Sequence, residues 1–478
     1  MAFALGAGAV FGFAPFEWFP LPPISLALLF ALWQRELRPG HIALLGLCWG
    51  LGCFLGGVSW VYVSMHDVGG MAAPLAALAT LTFAAVLALF PALAGYAYGR
   101  LRSGAATVRH ALLLAGLWAL AELLRGWIFT GFPWLALGYS QTPPSPLAGY
   151  APLLGGYGIG LLLALVAAAL ALAWRRPGPW LLLAALLAGG GLLHGVAWTE
   201  PYGPPLTVSL LQGNVPQVLK WDPQQLNLSI DGYVRLARQH PAQLVVLPET
   251  AIPLFFEEIP AEVLNDLRGR GDLLLGSAVR IRNGGYLNGA VAVAAGQPPR
   301  VYAKHHLVPF GEYIPPGFSW FFELVRIPLA DFTAGPAQQQ PMEIGGQRVM
   351  PNICYEDLFG EEIIRALPEA TLLLNLSNTA WFGDSWAQPQ HLQISRLRAL
   401  ETGRPMLRAT NTGMTAAIGA DGQVSAVLPA FAQGALTVTA QGRQGSTPYV
   451  RWGNGAVLLL ALLAVLLGRG RGPKESAA

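Results

Sequence analysis

Three stretches of this 478-residue chain share one grammar. "LVVLPET" runs through apolar residues to Glu249, "RVYAKHHLVPFGEY" carries Lys304, and "VMPNICYED" reaches Cys354. Each is an apolar, strand-like run that stops at a side chain able to act on a carbonyl carbon. A cysteine attacks only as its thiolate. A carboxylate close by can take the thiol proton as general base. A fixed ammonium stabilises both the thiolate and the oxyanion that attack creates, and backbone N–H groups after Cys354 could complete an oxyanion hole. Taken one at a time, the three residues have ordinary explanations: a small buried residue, a turn before a helix, a surface lysine. Their joint occurrence in one region is what points to acyl chemistry.

Those side chains need a scaffold that gathers strand ends at one edge. The expected strands cover 206–212, 243–248, 272–279, 290–294, 300–304, 349–354, 370–376 and 407–410. Helical patterns over 224–239 and 361–367 lie among them. Alternating strands and helices imply a layered α/β fold, and in such folds reactive loops collect where strands end. The pair Asp421-Gly422 is a hairpin signal, and no repeat or phosphate-binding glycine loop is visible.

The rest of the chain belongs in lipid. Hydrophobic residues make up 54% of the sequence and charged ones 12%, against about 25% charged in soluble domains. Up to residue 200 the only acids are Glu17, Glu36, Asp67, Glu122 and Glu200. Candidate spans are 2–14, 20–34, 40–64, 71–98, 107–127, 153–174, 180–197 and 453–468. The first is short, and the lack of a basic stretch before it argues against a signal peptide. Arg35 and Arg38, Arg100, Arg102 and Arg109, Arg175 and Arg176, and Arg469, Arg471 and Lys474 all fall on one side when the spans alternate. By the positive-inside rule that side is cytoplasmic, so the domain before the last span faces outward. Within the fifth span, Glu122 and Arg125 are spaced to pair on one helix face.

Several function classes drop out. A net charge of +3 is too small to suggest a nucleic-acid partner. Cys48 and Cys53 sit in an apolar segment and Cys354 stands alone, so a disulfide framework is excluded. The histidines lack ligand spacing for a metal, and the proposed steps need no cofactor. His305 and His306 suggest a cysteine–histidine pairing, but adjacent side chains point in different directions.

"LPET", "YAKHHLVPFGEY" and "NICYED" together resemble the carbon–nitrogen hydrolase, or nitrilase, superfamily with its Glu–Lys–Cys triad. With seven spans before the domain and one after, and with "GNVPQVLKWDP", "KHHLVPFGEYIP" and "LSNTAWFG", nearly the whole chain resembles the apolipoprotein N-acyltransferases. The resemblance implies a four-layer α-β-β-α sandwich at 204–445, a membrane region at 1–198, an eighth transmembrane helix at 452–469 and a cytoplasmic tail at 470–478. It implies that Glu249 is the base, Lys304 the oxyanion stabiliser and Cys354 the acylated nucleophile. Glu312 would support the lysine and the substrate, Tyr355 and Glu356 would follow the nucleophile, and Asn288 and Trp221 would shape the site and its rim. The implied substrates are a phospholipid acyl donor and a diacylglyceryl apolipoprotein acceptor, handled by a monomer in the bacterial inner membrane with its catalytic domain in the periplasm.

Other residues have plainer readings beside these. Glu312 fits a loop salt bridge and Trp221 a core aromatic. Phe255, Phe256, Trp320, Phe321 and Phe322 form apolar clusters that would dip into lipid or line an acyl path. Two rival functions use the same features: a membrane-anchored amidase or nitrilase with water as acceptor, and a transporter or receptor with an outer domain. Eight spans are excessive for an anchor, and the scarcity of charge within them argues against an ion pathway.

Overall fold

The computed structural model describes residues 1–104, 108–217, 223–282, 284–315, 317 and 331–469. Trp221, Trp320, Phe321 and Phe322 lie outside the described residues. Two compact units emerge. One joins Met1–Ser59, Ala77–Val196 and Arg451–Ala478, and the other joins Trp60–Ala76 and Ala197–Val450.

In the first unit every expected apolar segment contains a helix: Ala2–Ala9, Leu21–Arg35, Pro39–Gly57, Ala73–Leu101, Val108–Arg125, Ala151–Ala173, Pro177–Leu193 and Gly455–Gly468. Helices satisfy their own backbone groups, which lipid cannot do. Several open on proline in the first turn, where its missing N–H costs nothing. Pro39–Gly57, Ala73–Leu101 and Pro146–Ala173 are long and apolar enough to cross a membrane, while Ala2–Gly12, Pro177–Leu193 and Gly455–Gly468 are apolar but shorter.

The expected Glu122–Arg125 pairing gives way to a different arrangement. Among the described residues no ion pair joins them. Arg125 Nη1 donates to the carbonyls of Phe132 (2.6 Å) and Trp134 (2.7 Å), and its guanidinium lies 5.2 Å from the Phe54 ring centre. Glu122 Oε1 accepts from the Leu137 amide at 2.9 Å. Both charges are spent on the irregular chain that follows their helix, whose backbone groups have no ladder of their own.

The second unit is a sandwich. In chain order its strands are β1 (Thr199–Pro201), β2 (Leu206–Gln212), β3 (Leu244–Leu247), β4 (Asp272–Arg280), β5 (Tyr286–Val293), β6 (Arg300–Ala303), β7 (Met342–Ile344), β8 (Gln347–Ile353), β9 (Leu372–Ser377), β10 (Met406–Thr410), β11 (Ala416–Ile418), β12 (Val424–Val427), β13 (Gly434–Ala440) and β14 (Arg443–Gly445). One six-stranded sheet has the order β13-β2-β3-β4-β5-β6, the other β12-β11-β10-β9-β8-β7, and β1 pairs with β14. Strands β2, β3 and β4 run parallel, as do β8, β9 and β10.

Side chains alternate between two cores. Leu206, Val208, Leu210, Leu244, Val246 and Leu274 meet Val349, Ile353, Leu372, Leu374 and Leu376 between the sheets. Leu211, Val245, Leu247, Leu273 and Leu275 point the other way, into a cluster with Tyr233, Leu236 and Leu267 from helices Pro223–Gln239 and Ala261–Arg268. On the outer face of the second sheet, Leu373 and Met406 pack with Leu392 and Ala399 of helix Ala387–Thr402. Burial on both faces explains the unbroken apolar runs of the central strands.

Residues 58–64 depart from the expected span 40–64. The preceding helix stops at Gly57, and the chain continues through a short turn at Trp60–Val63 and a π-helix at Ser64–Val68. This strap belongs to the second unit: Ser64 Oγ donates to the Trp381 carbonyl (2.8 Å), Trp60 Nε1 to Gln390 Oε1 (3.3 Å), and the Trp60 ring meets Phe382 edge-on at 4.5 Å.

Candidate active site

Strand direction brings Glu249 and Lys304 to one edge. β5 is antiparallel to both β4 and β6, so β6 runs the same way as β3 and β4. Glu249 lies just past the end of β3 and Lys304 immediately past β6. Between them, Gly276 on β4 lets the Glu249 backbone come close: a Cβ there would sit 2.5 Å from the Glu249 Cα. Cys354 follows β8 directly and opens a 3-10 turn, Cys354–Leu358, with its own φ at +51°. That left-handed backbone costs a non-glycine residue about 1–3 kcal/mol and is held only by surrounding contacts.

Lys304, Glu249, Glu312 and Asn288 form one buried cluster. The Lys304 ammonium lies 2.8 Å from both Glu312 oxygens and 3.4 Å from Glu249 Oε1. Asn288 Nδ2 donates to Glu249 Oε1 (2.8 Å) and to Glu312 Oε1 (2.7 Å), so one amide sets the spacing of two carboxylates. The second Glu249 oxygen accepts the Asn378 amide at 2.9 Å, and the second Glu312 oxygen accepts the Val308 amide at 2.8 Å. Burial alone would pull Lys304 down, but Glu312 and Glu249 outweigh it and hold the ammonium above its ordinary range.

Cys354 feels the same charges. Burial of the sulfur pushes its thiol well above the ordinary value, Glu249 pushes further, and Lys304 pulls back. Burial and Glu249 both favour the neutral thiol at Cys354. All three cysteines are free, and Cys354 alone belongs to this site.

Glu356 staples the two sheets beside the reactive groups. Its Oε1 accepts from the amides of His305 (2.7 Å) and His306 (3.2 Å), and its Oε2 from the Tyr302 hydroxyl (2.9 Å) and the Ile353 amide (2.7 Å). Those donors flank Lys304 on one sheet and Cys354 on the other. Burial pushes the Glu356 carboxyl up, while the three backbone amides and the nearby Lys304 favour its ionised form.

The remaining expected residues divide. His305 Nδ1 lies 2.8 Å from the Gly335 carbonyl, and His306 stacks on Phe359 with its Nδ1 3.3 Å from Glu362, so each ring is engaged with a partner other than the sulfur. Tyr355 packs against Phe359 and His306. Phe255 lies between Tyr286 and the Arg280 guanidinium, and Phe256 joins the outer core, so both are occupied in packing within the domain. Sequence reasoning missed Asn378, which acts through its backbone amide, although its motif "LSNTAWFG" was in view.

The profile of the "Carbon-nitrogen hydrolase" family matches residues 207–449, and that of the "Apolipoprotein N-acyltransferase N-terminal domain" matches residues 5–169. A protein named apolipoprotein N-acyltransferase from Nitrosomonas europaea is 51% identical over 98% of this chain and 96% of its own. One of the same name from Ralstonia nicotianae is 48% identical over 98% and 93%. Among solved structures, a carbon-nitrogen hydrolase from Helicobacter pylori aligns with 49% of this chain and 88% of its own, at 19% identity and a TM-score of 0.38.

Proposed function

Because this chain belongs to the apolipoprotein N-acyltransferase family, we propose that it moves a fatty acyl group from a phospholipid, through a thioester on Cys354, to the α-amine of a diacylglyceryl-cysteine apolipoprotein. The observation that carries the site assignment is the buried Lys304–Glu249–Glu312 cluster at the same strand edge, whose charges bear on the Cys354 thiol.

The chemistry proceeds in two halves. Glu249 takes the thiol proton as Cys354 Sγ attacks the ester carbonyl carbon. Lys304 Nζ and the Tyr355 amide hold the oxyanion. The C–O bond breaks, Glu249 returns its proton to the departing lysophospholipid, and a thioester remains. The acceptor amine then attacks the same carbon, and Glu249 takes one of its protons. The C–S bond breaks, an amide forms, and the proton returns to the sulfur. A thioester is activated toward amines, so the second half runs downhill. Glu312 and Asn288 fix the lysine and the base, and Glu356 fixes the two strand ends.

The proposal extends to the setting. Eight spans cross the inner membrane, seven within 1–198 and one at 452–469. The catalytic domain at 204–445 lies on the periplasmic side, the tail at 470–478 in the cytoplasm, and the chain works as a monomer. The arginine clusters support this orientation. Relatives that match the membrane helices and the domain together, under one name, favour transfer over a merely anchored amidase.

The deciding experiment is intact-mass measurement of the full chain after incubation with phospholipid. A fatty acyl adduct on Cys354, discharged by a diacylglyceryl lipopeptide and absent in Cys354→Ala, is expected. No adduct, or an adduct released equally fast by water without the peptide, would sink the reading.

A further inference from the structure

Beneath the nucleophile lies a second buried cluster that the reaction above does not use. Asp357, in the turn that Cys354 opens, accepts from three side chains. His391 Nε2 lies 2.8 Å from its Oδ1, Arg408 Nη1 donates to its Oδ2 at 2.8 Å, and the Ser395 hydroxyl donates to Oδ2 as well. Arg408 Nη1 also contacts the Ser395 hydroxyl. His391 and Ser395 sit one turn apart on helix Ala387–Thr402, and Arg408 comes from β10. All four are buried.

The cluster reaches the backbone of the nucleophile. His391 Nε2 is 3.3 Å from the Cys354 carbonyl oxygen. Both oxygens facing this nitrogen are acceptors, so Nε2 carries the hydrogen and donates. Asn375 Nδ2 donates to the same Cys354 carbonyl, also at 3.3 Å. Burial pulls the His391 ring below its ordinary range, while the interaction with His391 and the Arg408 charge outweigh burial and hold Asp357 below the ordinary carboxylate range. A peptide unit is planar and trans, so its C=O and the next N–H point in opposite directions. Fixing the Cys354 carbonyl therefore fixes the aim of the Tyr355 N–H.

We propose that Asp357, His391, Ser395 and Arg408 are positioning residues for the oxyanion hole: by holding the Cys354 carbonyl from behind, they aim the Tyr355 amide at the reacting oxygen. This rests on the acyl-transfer reading, in which that amide is an oxyanion donor. The network needs three elements at once because the left-handed turn at Cys354 would otherwise be free to rotate its peptide plane. An anionic Asp357 orients the imidazole, and Arg408 with Ser395 keeps that carboxylate in place.

The test separates the oxyanion from the nucleophile. Alkylation of Cys354 by iodoacetamide forms no oxyanion, whereas acylation by phospholipid does. In the detergent-solubilised full chain, Asp357→Asn and His391→Ala should each slow acylation about 10- to 100-fold while leaving alkylation within about twofold of wild type. His391→Gln, which retains an N–H donor, should recover most of the acylation rate. Acylation and alkylation falling together in all three variants, or acylation unchanged, would overturn the proposal, since the network would then hold the cysteine itself or nothing relevant. Wild type that takes up no acyl group from phospholipid would sink the donor assignment instead. The same acylation-to-alkylation comparison with p-nitrophenyl butyrate would then still decide whether the brace acts on the oxyanion.

Discussion

Two of the places where the chain buries charge do so differently. In the catalytic unit, the Lys304 ammonium lies within 3.4 Å of both Glu249 and Glu312. In the helical unit, Glu122 and Arg125 turn apart and each secures backbone groups of the chain that follows their helix. Charges that face each other in a low-dielectric setting set each other's proton affinity and can move protons. Charges spent on carbonyls and amides only hold shape. Close sequence spacing of an acid and a base is thus no guide to which of these a pair does. Glu122 and Arg125 are three apart in the sequence, whereas Glu249 and Lys304 come together from distant strands.

Breaking the two clusters should therefore give opposite signatures. The largest effect is expected from Glu249→Gln, which removes the proton acceptor: the rate of Cys354 acylation should fall by about 10²- to 10⁴-fold, measured by quenched intact-mass time courses. Lys304→Met should slow acylation by about 10²- to 10³-fold. It should also destabilise the catalytic unit by about 3–5 kcal/mol, because two buried carboxylates lose their counter-charge; thermal unfolding of the full chain checks this. Arg125→Gln should cost about 1–3 kcal/mol of stability by leaving the Phe132 and Trp134 carbonyls poorly satisfied, with acylation per folded molecule unchanged. A large loss of rate without loss of stability in this variant would erase the contrast.

A pH series sharpens it with the smallest effect. Since burial and Glu249 push the Cys354 thiol up, the thiolate fraction keeps growing above the range where a free thiol is already ionised. Iodoacetamide alkylation of wild type should still be rising beyond pH 9, whereas a thiol of ordinary pKa, about 8.5, levels off there. A plateau below pH 9 would mean that Lys304 outweighs burial and Glu249 together.

Much of the catalytic unit was legible because its central strands are buried on both faces. Leu244–Leu247 and Leu372–Ser377 are buried throughout, and such runs stand out whatever their neighbours. Strand β13, Gly434–Ala440, escaped notice because it is short of large apolar residues and only partly buried. Helix Ala387–Thr402 was hidden for the opposite reason. Its buried side chains include Gln388, Gln390, His391, Gln393, Ser395, Arg396 and Arg398, so it has no apolar stripe of helical period to read. The reactive residues were legible from their chemical types, but their alignment was not. It depends on Asn288 across two strands, on the Asn378 amide and on the Gly276 approach, and these are facts of register rather than of composition. Asp357 stands in "NICYED" as one of two acids, yet only the packing of helix Ala387–Thr402 and β10 shows that its partners are His391, Ser395 and Arg408.

The strap at Trp60–Ala76 carries a practical consequence. It grips the turn at Trp381 and Phe382, a few residues beyond the Asn378 amide that holds Glu249. A water-soluble fragment trimmed to the sandwich would leave that grip behind, baring the Phe382 ring and loosening the ground under Glu249. Anyone wishing to excise the enzyme from its lipid-embedded helices should graft this short strap back on.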